Sequence, residues 1–145
     1  MKTKRSFLTL LASSLIFANM AAHAETPALP WNGPSPGATA ETFLADYIKS
    51  DAKNSQFVAK TKLATPEFKA AFKKAMADKE LESDPVIFAQ DVPITPFKAE
   101  SSKVKGDTAT VLVAAKYNAK ETSKLMVTLV AKDGQWLVSK IARPK

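Results

Sequence analysis

Two tyrosines and three polar residues are the candidates for chemistry in this chain. Asp84, Gln90 and Asp91 lie in one short segment that opens with Asp-Pro, while Tyr47 precedes it and Tyr117 follows it. A buried Asp can act as a general base, and a Tyr hydroxyl can stabilise an oxyanion. Gathered in one open pocket, these residues would form a ligand-binding or weakly catalytic site.

The same residues also have structural explanations. An Asp directly before Pro85 is typical of an N-cap, and Tyr117 ends a predicted strand on its core side. Gln90 and Asp91 can satisfy backbone groups where a helical turn leads into a strand. We therefore predict that Asp84 caps the turn, and that Gln90 and Asp91 tie this turn to the first strand through backbone hydrogen bonds.

The composition excludes several classes of site. The 145 residues include no Cys and one His, which leaves no disulfide, no thiol nucleophile and no Cys-based zinc site. No Asp-rich calcium loop occurs, and the four Gly residues form no phosphate-binding loop. We predict no metal site, no cofactor and no catalytic residue.

Residues 1–24 have the pattern of a secretory signal peptide. Three basic residues stand among the first five, an apolar stretch covers residues 7–18, and Ala-His-Ala at 22–24 offers small residues for cleavage. A membrane-spanning helix needs about 20 apolar residues, so we predict cleavage after Ala24 and no stable membrane anchor. The predicted location is the periplasm or the exterior of a bacterium.

Cleavage also changes the charge. The chain carries 21 basic and 14 acidic side chains, a formal charge of +7, and three of the basic ones lie in the signal. From Glu25 onwards the charge is +4 and no His remains. An exported domain of this modest charge rarely meets nucleic acid, so we predict no nucleic-acid partner.

The region after the signal divides into a lead and one domain. Residues 25–38 contain four Pro and two Gly, which predicts an extended, mobile lead. Trp31 is an isolated aromatic residue in this lead, where it either docks on the domain, is exposed, or contacts a partner. The predicted domain spans residues 39–143.

Two helices are predicted at the start of the domain. The first has Thr39 as its N-cap and runs to about Ala52. The second begins at Thr65-Pro66, since Pro is favoured at the first helical position. Its apolar positions repeat at helical spacing and predict one buried stripe, made up of Phe68, Ala71, Phe72, Ala75 and Met76. The stretch from 54 to 64 is left as irregular or as a short helix.

Residues 97–145 predict four antiparallel strands. Asp133-Gly134 is a strong two-residue hairpin signal, and the register it sets places Leu129 opposite Val138 and Trp136 in the core. Gly106 predicts a three-residue turn that places Ala99 opposite Val113.

The end of the last strand has two possible arrangements. Simple alternation places Ile141 on the outer face of the sheet. A bulge near Ser139 or Lys140 would instead return it to the core beside Trp136.

The outer face of the predicted sheet is less polar than a solvated face should be. We expect a cover over it, either the lead, another strand or a second copy of the chain. The candidate interface residues are Leu112, Met126, Val130 and Leu137.

Helices followed by a meander that ends in DGQWLVSKI resemble the nuclear-transport-factor-two-like fold, a cone of sheet wrapped on helices. Within that superfamily, the segment DPVIFAQDVP is similar to a family of small exported bacterial proteins of uncharacterised function. The resemblance covers about 39–143. It implies an α+β fold in which N-terminal helices pack on a curved, four-stranded antiparallel meander.

These patterns together predict an exported, non-enzymatic binding protein, such as a periplasmic inhibitor or an immunity-type protein with a protein partner. The alternative is a cone-shaped domain that binds a small apolar ligand or is weakly catalytic, using Asp84, Asp91 and a Tyr. A homodimer through the sheet face is also open.

Overall fold

The structure is a computed structural model that describes residues 33–145. Within this range lie three α-helices, α1 (Pro36–Ser50), α2 (Asn54–Lys60) and α3 (Pro66–Met76), with a 3-10 turn at Asp51–Lys53. Four strands follow: β1 (Lys98–Lys105), β2 (Thr108–Lys116), β3 (Thr122–Lys132) and β4 (Gln135–Ala142). They form one antiparallel sheet in chain order, which confirms the predicted α+β class and meander. The predicted signal peptide, Trp31 and the lead up to residue 32 lie outside the described residues.

Helix α1 begins earlier than predicted. Ser35 is its N-cap and accepts a hydrogen bond from the Ala38 N–H, with Pro36 at the first helical position. This is the same Ser/Thr-Pro signal that starts α3 at Thr65. The last residues of the predicted lead are therefore helical, and Thr39 is a buried residue inside α1.

The core lies between the helices and one face of the sheet. From α1, Phe43, Leu44 and Tyr47 are almost completely buried. From α3, Phe68 and Phe72 are buried, whereas Ala71 and Met76 of the predicted stripe are exposed. The predicted stripe was too wide because α3 contacts α2 and β4 rather than the broad face of the sheet.

The β3–β4 hairpin forms as predicted. Asp133 and Gly134 have φ values of +50° and +72°, as a type I′ turn requires, and Leu129 pairs with Val138. Trp136 is buried.

A bulge interrupts β4 after this hairpin. The register shifts between Thr128 and Leu129 of the partner strand, and Ser139 is the extra residue. Ile141 consequently pairs with Val127 and is buried, so the bulged arrangement is the one adopted.

The β1–β2 hairpin reaches the predicted register by another route. Lys105 pairs with Thr108 across a two-residue turn, and Gly106 has φ of +62°; the predicted three-residue turn was wrong. A bulge between Ala99 and Ser101 then shifts the register by one residue. Ala99 therefore still lies opposite Val113.

The two edges of the sheet differ. Along β4, Ala64 forms a parallel bridge with Val138. The Thr65 N–H donates to the Val138 carbonyl at 2.9 Å, and the Val138 N–H donates to the Leu63 carbonyl at 2.7 Å. The opposite edge strand, β1, is exposed along its length except at Ala99.

None of the helices in residues 33–145 is long and apolar enough to cross a membrane.

Candidate functional site

The Asp84 carboxylate is fully engaged by the protein. Its Oδ1 accepts from the backbone N–H groups of Val86 and Ile87 at 2.8 and 3.0 Å. Its Oδ2 accepts from the Tyr47 hydroxyl at 2.6 Å. Asp84 thus caps the turn that Pro85 begins, as predicted, and both of its oxygens already hold donors.

Tyr47 is a core residue. It is 1% exposed, and its ring packs among Phe43, Phe57 and Phe72. Burial, followed by the hydrogen bond to Asp84, raises the pKa of the Tyr47 hydroxyl. The group therefore stays protonated and donates to Asp84 rather than to a ligand.

Gln90 and Asp91 do not make the predicted link to β1. Gln90 Nε2 donates to the carbonyl of Glu82 at 3.3 Å, within the same connection. Asp91 is exposed, and its carboxylate accepts no hydrogen bond from residues 33–145.

The connection is tied to the sheet further along the chain. The Ile94 N–H donates to the Lys116 carbonyl at 2.8 Å, and Thr95 Oγ1 accepts from the Lys116 N–H at 2.8 Å. The predicted attachment to β1 through Gln90 and Asp91 is therefore wrong, and the connection is instead held by Ile94 and Thr95 at the end of β2.

Tyr117 makes no hydrogen bond to the Tyr47–Asp84 pair. Its hydroxyl is buried and has no hydrogen-bond partner within the described chain. Burial raises the pKa of Tyr117, and the negative charges of Asp84, Glu121 and Asp91 raise it further. The hydroxyl is thus a neutral donor that no described group uses.

Tyr117 lines an open cavity of about 480 Å³ at the end of the sheet. Arg143 closes one side, where its Nη2 donates to the Phe88 carbonyl at 2.7 Å and its guanidinium lies 5.8 Å from the Phe88 ring centre. Phe88 has φ of +53°, which is unusual for a residue other than Gly. Neither Tyr47, Asp84 nor Asp91 lines this cavity, so the five predicted polar residues do not share one pocket.

In residues 33–145 no three His, Cys, Asp or Glu side chains are grouped to hold a metal ion.

The outer face of the sheet, the side turned away from the helices, carries an apolar stripe. Leu112 pairs with Met126 across β2 and β3, and Val130 pairs with Leu137 across β3 and β4. All four are half-buried, and none belongs to the hydrophobic core. The alternation that placed them together on this face is confirmed by the register.

Lysines surround this stripe. On β1, Lys98, Lys103 and Lys105 lie opposite Ala114, Thr110 and Thr108 of the outer face, and on β4 Lys140 lies opposite Thr128. The strand ends add three more by alternation: Lys116, Lys124 and Lys132. A depression of about 1080 Å³ on the β1–β2–β3 part of the face is lined by Lys103, Lys105, Leu112 and Met126 among others.

Carboxylates are scarce on the outer face. No paired position of the face carries Asp or Glu. Glu100, at the β1 bulge, contacts Lys124 at 2.7 Å. The alternation in the sequence predicted the apolar stripe, and the alternate positions of the seven lysines in the same strands were a signal that the prediction did not use.

Comparison with known proteins gives a fold match only. No family model matches the chain, and no curated protein matches it. Among solved structures, it is similar to a chain in the crystal structure of the type VI native effector-immunity complex Tae3-Tai3 from Ralstonia pickettii. That match has a TM-score of 0.65 and 18% identity, and covers 78% of this chain and 98% of the other.

A second structure, the selenomethionine form of the same complex, gives a TM-score of 0.60 and 19% identity over 77% of this chain and 97% of the other. At such identities the likeness shows a shared α+β fold.

Proposed function

We propose that this chain is an immunity-type protein that binds and neutralises a protein effector. The supporting observation is the fold match, which extends over 98% of a chain from an effector-immunity complex. Of the two sides of such a complex, the immunity side suits this chain. It has no Cys, and its single His lies in the predicted signal peptide, so it offers neither a thiol nor a His for acid–base catalysis.

The proposed place of action is the periplasm. The pattern of residues 1–24 supports export. The resemblance to a family of small exported proteins also predicts export. N-terminal sequencing of the protein from a periplasmic fraction is expected to start at Glu25. Protein that retains Met1 would contradict export by cleavage.

A contact-dependent competition experiment tests the function. A strain lacking the gene is grown on a surface with its parent, and with a parent whose type VI secretion is inactive. We expect the deletion strain to be killed only by the secreting parent, and the full-length gene to restore survival. A version that starts at residue 25 is the control, since it makes the same domain without the predicted signal and should not protect.

Equal survival of the deletion strain beside both parents would contradict the proposal. Protection by the version without the signal would contradict the periplasmic location and leave the immunity role standing. The two parts of the proposal are therefore separated in a single experiment.

A small ligand is the second candidate function. It is favoured by the unpartnered, buried Tyr117 hydroxyl beside the 480 Å³ cavity. A ligand that accepts a hydrogen bond from this hydroxyl should raise the melting temperature of the wild-type protein but not that of Tyr117→Phe. A screen in which every stabilising compound acts equally on both proteins would reject this site.

A further inference from the structure

We propose that the outer face of the sheet is the docking surface for an acidic segment of the effector. The inference rests on the proposed function and adds to it the surface used and the chemistry of the partner. The acidic segment would lie across the apolar stripe of Leu112, Met126, Val130 and Leu137, with its carboxylates facing the surrounding lysines.

Charge is the first argument. Seven lysines belong to this face and no paired position carries a carboxylate, while Glu41 and Glu100 offset two of the charges through their ion pairs with Lys98 and Lys124. Charges of one sign on one surface sum to a potential that attracts the opposite sign and speeds its association. The remaining lysines are more than the described residues of this face can neutralise, so the complementary surface is acidic.

The arrangement of apolar and charged groups is the second argument. Protein interfaces have an apolar centre and a polar rim. Here the apolar side chains lie on β2, β3 and β4, while the lysines lie on the edge strand β1, at the strand ends and, as Lys140, on the other edge strand β4. The open depression at Lys103, Lys105 and Met126 lies where the apolar stripe meets the lysines. An apolar side chain of the partner could fill this depression while neighbouring carboxylates of the partner face the lysines.

Other occupants fit less well. A second copy of the chain would place two lysine-rich faces against each other, and like charges across an interface are unfavourable. Lysines can contact nucleic-acid phosphates without regard to sequence, but reading bases uses Arg and other polar side chains, and holding single strands uses stacking on aromatic side chains. The paired positions of this face carry neither aromatic residues nor Arg. An acidic protein segment satisfies both the charge and the apolar stripe.

Charge reversal tests the surface in the competition experiment. The test variant is Lys103→Glu, Lys105→Glu and Lys132→Glu in the full chain. Its matched control is Lys62→Glu, Lys73→Glu and Lys79→Glu, which makes the same change in net charge at exposed positions of the helical side. We expect the control to restore survival of the deletion strain and the test variant to leave it as sensitive as the deletion itself.

Two measurements keep the result interpretable. Immunoblots and thermal melts must show equal amounts and equal melting temperatures for the two triple variants. A second protein tests the surface without the three charge reversals. In it Met126 is replaced by a photo-crosslinking amino acid, and a protein with the same replacement at Lys73 is the control. We expect a crosslinked product only at Met126, only when the neighbour secretes, and with an acidic protein.

The outcomes separate the two proposals. If wild-type protein protects and the test variant protects equally well, the docking surface is wrong and the immunity role stands. If the wild-type gene does not protect, the immunity role fails and the docking surface fails with it. The acidic protein would be overturned as the occupant if the purified protein bound phosphatidylglycerol vesicles or duplex DNA through the same lysines at least as tightly as it binds the acidic protein. A dimer that forms in solution through the lysine-rich face would overturn it too.

Discussion

Tyr47 donates a hydrogen bond of 2.6 Å to Asp84 and so joins helix α1 to the turn that follows α3. The bond crosses 37 positions of the chain. It holds the connection between α3 and β1 against the core, where Val86 and Ile87 of the same turn are buried. Two candidates for a ligand-binding or weakly catalytic pocket are thereby hydrogen-bonded to each other within the fold.

Removing either partner should destabilise the protein. Tyr47→Phe leaves Asp84 Oδ2 without its donor, at a cost of about 1–3 kcal/mol. Asp84→Ala also removes the cap on Val86 and Ile87, worth about 0.5–2 kcal/mol. Urea melts of the single and double variants should show a coupling of about 0.5–3 kcal/mol. Exposed Asp91→Ala is the control, and an Asp84→Ala protein that melts at or above the wild-type temperature would point back to a binding or catalytic role.

Truncation of Trp136 tests the position of β4. The ring is 4% exposed, and loss of a large buried aromatic side chain costs about 3–5 kcal/mol. Val104→Ala is the matched control on the sheet, because Val104 is 57% exposed and its loss should cost about 0.5 kcal/mol or less. A loss for Trp136→Ala as small as that for Val104→Ala in urea melts would place the ring on the surface.

Ile141 reports on the Ser139 bulge. Ile141→Ala should cost about 2–5 kcal/mol, the range for truncating a buried aliphatic side chain, since the bulge turns it into the core. A regular strand would put the residue on the outer face, where its loss would cost little. The measurement is again the free energy of unfolding in urea, and a cost below about 1 kcal/mol would argue for the regular strand.

Glu41 should make stability depend on acid pH. A hydrogen bond of 2.8 Å from the Ala99 N–H lowers the pKa of this carboxyl, burial opposes the shift, and Lys98 lowers it further. A folded pKa below the unfolded one gives stabilisation that is present above the ordinary value of 4.5 and lost as pH falls through the folded value.

Glu41→Ala is therefore expected to cost about 0.5–1.5 kcal/mol at neutral pH, and progressively less as the pH falls below the ordinary value of 4.5. Exposed Glu80→Ala is the control, with little effect at any of these pH values. Parallel loss for Glu41→Ala across the whole pH range in thermal melts would show that the carboxylate charge is not involved.

Tyr117→Phe should change stability in the opposite direction to Tyr47→Phe. Its hydroxyl is buried without a partner in the described residues, and a buried polar group without a hydrogen bond destabilises the folded state. Removing it should raise stability by up to about 1 kcal/mol in the absence of ligand. A lower melting temperature for Tyr117→Phe would show that the hydroxyl is satisfied in solution.

Local signals in the sequence predicted most of the sheet. Asp133-Gly134 sets the β3–β4 register because a type I′ turn admits few residues. The Ala99–Val113 pair was predicted correctly from a wrong turn, since the one-residue error at Gly106 and the bulge at Glu100 cancel there. Between the turn and the bulge, from Lys105 to Ser101, the pairing differs from the predicted one by one residue. Bulges leave little trace in an alternating pattern, so that compensation was beyond sequence reasoning.

The remaining differences also have physical reasons. Ser35-Pro36 is as good a helix start as Thr65-Pro66, but neighbouring Pro and Gly residues suggested an extended lead. The Tyr47–Asp84 bond depends on how α1 packs over the turn, and no local pattern encodes that contact. Sequence reasoning therefore found the cap at Asp84 and missed its second partner.

The bridge between Ala64 and Val138 determines when the domain can be completed during synthesis. The segment that covers the edge of β4 is made early, but β4 itself follows the other three described strands in the chain. Contacts between distant parts of a chain form slowly, because a long loop must close before they are made. A nascent chain that ends before Gln135 lacks both this edge contact and the buried side chains of Trp136 and Val138, and is thus expected to remain unfolded.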